Sequence, residues 1–105
     1  MRWNLLSFAL CVGVLGTHAA WAANPEAAKT TATTICAGCH GPKGISASGM
    51  FPNLAGQKKE YLAKQLKAFR DKTRTDPTMN SMAAGLKDEE IADLAAYFSS
   101  LKPCE

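Results

Sequence analysis

The sequence predicts an all-α domain, on three observations. No alternating apolar pattern of strand length occurs in the 105 residues. Three segments instead carry helical spacing or helix-start chemistry, at residues 24–36, 58–69 and 88–101. The composition, 47% apolar and 20% charged with glycine and proline in no repeating period, is that of one small folded domain rather than a fibrous or disordered chain. A formal charge of +3 without a basic stripe interleaved with aromatics excludes nucleic acid as a partner.

Residues 1–22 read as an address rather than as part of the fold. Arg2 precedes an apolar run from Leu5 to Leu15, broken only by Ser7 and Gly13, and the small-residue exit Ala20-Trp21-Ala22 follows. That is a secretory signal peptide with a cut before Ala23, which exports the remaining domain, 23–105. The run is shorter than the roughly 20 residues that a membrane-spanning helix needs, so no stable membrane insertion is expected after cleavage. Cleavage removes Cys11 and His18, which leaves three cysteines and His40 as the sole imidazole. A domain of this size is marginal on its own core and commonly recruits a disulfide, a metal or a prosthetic group.

The first helix starts at Asn24-Pro25-Glu26, with Asn24 as N-cap and Pro25 in the first turn, where its missing N–H costs nothing. It is expected to run to about Cys36 and to pack through Ala28, Ala32 and Ile35. Gly38 to Gly56 is rich in Gly, Ser and Pro and reads as a loop long enough to wrap something. Leu62, Leu66 and Phe69 form one apolar stripe on a helix from Lys58 to Phe69. Arg70 to Ala84 loses the period and reads as a second loop. Ile91, Leu94, Ala95, Phe98 and Leu101 then define the last helix, opened by Asp88, Glu89 and Glu90 and stopped before Pro103.

The chemistry concentrates in Cys36-Ala37-Gly38-Cys39-His40. C-x-x-C-H is the covalent haem attachment spacing: two thiols add to the vinyl groups of one porphyrin edge and the adjacent imidazole comes to lie under the iron. A structural Cys36–Cys39 disulfide, a thioredoxin-like pair and a zinc site compete with it. The redox pair wants a βαβ context, and zinc wants a second paired motif; neither is present. If the leader is removed, no second imidazole remains, and Met50, Met79 and Met82 are the candidates for a sixth iron ligand. Met50, ten residues past His40 on the histidine side, reads as a packing residue.

From residue 28 to 101 the chain resembles a class I c-type cytochrome, in the bacterial branch marked by CxxCHGxxG (Cys36 to Gly44), FPxLAGQxxxYLxxQLxxFR (Phe51 to Arg70) and a methionine loop before LAAYFSSL (Leu94 to Leu101). The resemblance implies three or more helices wrapped around one covalently attached haem c. It selects Met79, seven residues before Leu86, as the axial partner of His40, with Met82 filling space at the haem edge. It also gives Pro52, twelve residues past His40, the role of accepting a hydrogen bond from the second ring nitrogen of the axial histidine. Lys72, where this branch often has glycine, and Lys87, where it often has Ser or Thr, depart from the pattern; Cys104 is left without a partner, free or bridging a dimer.

Two filled axial positions leave no site for a substrate, so the resemblance implies a one-electron carrier, not an enzyme, shuttling between periplasmic or membrane-bound redox proteins through transient docking. The competing expectations are a haem subunit permanently docked on a dehydrogenase or oxidase complex, and a ligand-binding haem protein whose methionine dissociates. Residues 58–76 hold seven bases against three acids, and residues 87–93 one base against four acids. This asymmetry fits either two solvated faces or a surface that steers an acidic partner.

Overall fold

The computed structural model describes residues 22–104; the leader expectation therefore lies, apart from Ala22, outside the described residues. The described chain is helical and contains no strand. Helix α1 (Pro25–Thr31) leads through a π-helical turn (Ala32–Cys36) into α2 (Ala37–His40); α3 (Lys59–Arg70), α4 (Pro77–Ala83) and α5 (Asp88–Ser100) follow. No helix among the described residues is long and apolar enough to cross a membrane.

The first helix begins as its chemistry requires, the Asn24 side chain accepting from the N–H groups of Glu26 and Ala27. It does not stop near Cys36 but carries on to His40, all of its junction residues keeping right-handed helical dihedrals. The π turn decides which side chains face inward. Its hydrogen bond from Ala37 N–H to the Ala32 carbonyl spans five residues instead of four, so each residue advances by less than the roughly 100° of an α-helix. Cys36 consequently joins the line of Ala28 and Ala32 against the core, and Ile35, expected to pack there, is 55% exposed. Thr33 and Thr34 donate to the carbonyls of Lys29 and Thr30 at 2.9 and 2.7 Å, a back-bonding that loosens the helical ladder beside the turn.

Helix α5 packs against α1 on one side and α3 on the other. Ala28, Ala32, Leu62, Leu94, Ala95 and Phe98 form the core where the three meet. Each buried leucine or phenylalanine contributes about 1.5–3 kcal/mol; truncating Leu94, central to this cluster, is expected to cost about 2–5 kcal/mol. Half of the buried apolar residues are alanines, and the largest fully buried side chain is Ile91. The core is therefore thin for the length of chain it organises.

Residues 70–84, read from the sequence as a loop, contain α4. Asp76-Pro77 repeats the start chemistry of Asn24-Pro25: the Asp76 side chain accepts from Met79 N–H, and Pro77 occupies the first turn. The segment is too short and too exposed to show an apolar period, which is why it does not read as a helix. Helix α3 ends in a Schellman motif, with Thr73 N–H on the Ala68 carbonyl at 2.9 Å and Lys72 N–H on the Phe69 carbonyl at 3.3 Å. The residue that must turn left-handed there is Lys72, at φ 60°, the one non-glycine with positive φ among the described residues. Lys87 caps α5 only through its backbone, whose N–H meets Glu90 Oε2 at 3.3 Å, since an ammonium has no acceptor to offer.

Candidate functional site

His40 ends the helical rod and is the only buried polar or charged residue described, 7% exposed. The chain then reverses through Gly41, whose φ of 83° and ψ of 153° lie in a region essentially restricted to glycine. A Cβ on Gly41 would stand 1.9 Å from the Ile45 carbonyl oxygen, so backbone fills the place of a side chain. Gly44 is placed similarly: its carbonyl accepts from Leu54 and Ala55 N–H at 2.8 and 2.9 Å, and a Cβ there would stand 3.0–3.2 Å from Ala55 and Phe98 at a φ of 72° that side chains rarely adopt. The effect is to return residues 51–55 past His40. There Pro52 oxygen stands 2.8 Å from His40 Nδ1. A carbonyl only accepts, so Nδ1 carries a proton and donates; in the neutral ring Nε2 then keeps its lone pair, which is the tautomer of a metal-ligating imidazole.

Cys36 and Cys39 are half-buried free thiols, one helical turn apart on the rod that ends in His40. Burial pushes the Cys36 thiol up from its ordinary pKa. Cys104 is also free and lies exposed beyond α5. Among the described residues, no three His, Cys, Asp or Glu side chains converge to hold a bare metal ion.

Met79 stands on α4, half-buried, its N–H held by Asp76 at 2.9 Å. Met82, expected to fill space at the edge of the site, is 52% exposed, and Met50, expected to pack, is 84% exposed. Met50 falls in the Ser46–Phe51 turn, where Ser48 takes up the Met50 and Phe51 N–H groups and the side chain stands open to water. Met82 stands beside the buried Ala83 on the same two-turn helix and keeps an open face.

These residues fit a haem. The thin, alanine-rich core is accompanied by large apolar side chains with open faces, Ile35, Phe51, Tyr61 and Met82; a flat apolar macrocycle fixed to Cys36 and Cys39 would cover surface that water otherwise wets at about 25 cal/mol per Å². An imidazole in the ligating tautomer follows the second thiol immediately. A soft thioether is available on α4.

Sequence alone missed α4 and the side chains that fasten it. Arg70 Nη1 donates to Asp88 Oδ1 at 2.7 Å and to the Leu86 carbonyl at 3.3 Å, tying the end of α3 to the start of α5 across the α4 segment. Asp88 is held below its ordinary carboxylate value, first by that hydrogen bond, and the Arg70 guanidinium is raised by its bonds to Asp71 and Asp88. Arg74 donates to Gln65 at 2.7 Å and lies 4.6 Å above the Phe69 ring. Two of the seven bases in the 58–76 segment are thus engaged within the fold; Lys58, Lys59, Lys64, Lys67 and Lys72 are exposed.

Residues 25–102 match the family model for cytochrome c. A cytochrome c4 of Pseudomonas aeruginosa is 41% identical over 98 residues, 93% of this chain and 48% of that protein. A thiosulfate dehydrogenase electron acceptor of Thiomonas intermedia is 41% identical over 101 residues, 90% of this chain and 44% of that protein. The solved structure of a cytochrome c4 from Acidithiobacillus ferrooxidans superimposes with a TM-score of 0.72 at 34% identity, over 75% of this chain and 50% of that one. The chain spans about half the length of these relatives. An all-helical domain with a C-x-x-C-H rod and a buried, carbonyl-oriented imidazole, matched over nearly its whole described length, leaves one conclusion: this chain belongs to the cytochrome c family, whose prosthetic group is a covalently bound haem c.

Proposed function

We propose that this protein is a one-electron carrier of the periplasm, exported by residues 1–22 and acting through a single haem in residues 23–105. Cys36 and Cys39 would hold the haem by thioether bonds, and His40 Nε2 and the Met79 sulfur would bind its iron. When bound, the haem supplies a reversible one-electron iron couple. The rest is done by the chain. Pro52 fixes the tautomer and plane of His40 through the 2.8 Å bond to Nδ1 and raises its basicity. The Met79 thioether, a soft neutral donor, favours the reduced state and so raises the potential. With both residues bound to the iron, neither oxygen nor a substrate would have a site, and the reaction would be confined to the electron.

The observation that carries this reading is the buried His40 beside its two half-buried thiols, with one ring nitrogen engaged and the other free. The electron-acceptor role in the name of the Thiomonas relative supports a redox enzyme as donor. The five exposed lysines on and around α3 support transient docking against an acidic partner surface. Cys104, free and exposed, supports a disulfide-bridged dimer as a second form.

Spectra of purified holoprotein test it. Wild type is expected to show the weak long-wavelength sulfur-to-iron band when oxidised and no change on adding carbon monoxide when reduced. Met79→Ala should lose the band and gain carbon monoxide binding, while Met82→Ala keeps the wild-type spectrum; the reverse result removes Met79 from the assignment. With a redox partner, the second-order rate should fall with ionic strength and in Lys58→Glu/Lys59→Glu, because charges are screened over about 10 Å at 0.1 M salt. A rate indifferent to both leaves α3 as a solvated face. Co-elution with a dehydrogenase through gel filtration would replace the shuttle by the fixed subunit.

A further inference from the structure

The residue after Met79 makes more well-formed bonds to other parts of the backbone than any side chain around it. Asn80 Nδ2 donates to the Phe69 carbonyl at 2.8 Å and to the Arg74 carbonyl at 2.9 Å, and Asn80 Oδ1 accepts from Asp76 N–H at 2.9 Å. One half-buried amide thereby joins the last turn of α3, the connecting loop and the entry of α4. Its orientation is set by the partners, two carbonyls calling for the NH2 and one N–H for the oxygen. Asp76 holds Met79 N–H from the other side, at 2.9 Å. Met79 therefore sits between two residues fastened to backbone, on a helix of seven residues too short to hold its own shape.

We propose that Asn80 is a positioning residue for the Met79 ligand: it latches α4 to the end of α3 and so sets how often the methionine leaves the iron. This rests on the reading of Met79 as axial ligand. An exogenous ligand competes only for the fraction of molecules in which the methionine has dissociated, so its apparent dissociation constant is its intrinsic value divided by that fraction. Asn80→Asp keeps size and shape but turns an oxygen toward the Phe69 and Arg74 carbonyls, replacing two attractions by two repulsions.

The test is titration of the oxidised holoprotein with imidazole, followed by loss of the sulfur-to-iron band, with the denaturant unfolding midpoint measured alongside. Asn80→Asp is expected to tighten apparent imidazole binding at least tenfold, and Asn80→Ala severalfold, with covalent haem retained. Ser81→Ala, on the same helix but bonded only to the Pro77 carbonyl, should stay within twofold of wild type. Asn80→Ala carries the test if the aspartate variant fails to accumulate. Imidazole affinity in the Asn80 variants equal to wild type, or tightened equally by Ser81→Ala, overturns the latch. A sulfur band that survives Met79→Ala overturns the ligand assignment itself, and the latch with it; a band that obeys Met79 but ignores Asn80 overturns the latch alone.

Discussion

The two sides of the site are held by different physics. On the histidine side, His40 is placed by covalent proximity to Cys36 and Cys39 and by a loop that turns back on glycines, with backbone packed against backbone at Gly41 and Gly44. The side chains of Ser46, Ser48 and Asn53 add hydrogen bonds within that loop. On the methionine side the chain between α3 and α5 is fastened by Asp76, Asn80 and Arg70, each reaching backbone or an acid several residues away. The first arrangement leaves no room for a side chain, because the Ile45 backbone fills the place of a Cβ at Gly41. The second is a set of separate hydrogen bonds, each worth about 1 kcal/mol net, and it can open locally without unfolding the rest. On the proposed ligation, the methionine side is the one that can let go.

The largest effects that would break this comparison lie on the histidine side. Cys36→Ser or Cys39→Ser should lose covalent haem and most of the accumulated protein, because the porphyrin supplies apolar volume that an alanine-rich core lacks; haem staining and yield after export check it, and undiminished folded protein without haem sinks it. Gly41→Ala is next, with an expected loss of about 3 kcal/mol or more in denaturant unfolding, since a Cβ would overlap the Ile45 carbonyl and the backbone conformation is itself forbidden to alanine.

Smaller effects sharpen the other side. Lys72→Gly should be stabilising by about 1 kcal/mol, because a left-handed lysine carries strain that glycine does not, less the extra freedom glycine has when unfolded; a neutral result would mean that the two cancel. The smallest change is in pH dependence. Asp88 is held below its ordinary value of 3.8 by Arg70, so the pair stabilises the fold above that value and the contribution is lost as pH falls through the lowered titration. Wild type should therefore exceed Asp88→Asn in stability at neutral pH and converge on it in acid. A gap that persists in acid would assign the role of Asp88 to its contacts rather than its charge.

How far the site was legible follows from which interactions are local. Cys36, Cys39 and His40 read directly because attachment chemistry constrains residues next to one another in the chain. Asn24 and the last helix read because caps and apolar spacing are properties of a dozen residues at most. Helix α4 did not read, although Asp76-Pro77 repeats the Asn24-Pro25 start, because two turns cannot display a period. Ile35 stays off the Ala28–Ala32 line for a different reason: an ideal helical wheel has no place for a π turn. Lys72, where the resemblance expects glycine, occupies the left-handed position of a Schellman motif.

By itself the sequence determined the helical class, the thiol-and-imidazole constellation and, through resemblance, Met79 and Pro52 as residues to watch. Only the tertiary structure decided that the Pro52 carbonyl meets His40 Nδ1, that Arg70 spans from α3 to Asp88, and that Asn80 gathers three separate stretches of backbone beside Met79. A residue type declares what it can donate or accept, but a bond between positions 11, 12 or 18 residues apart exists only once packing has closed the loop between them and met its entropic cost.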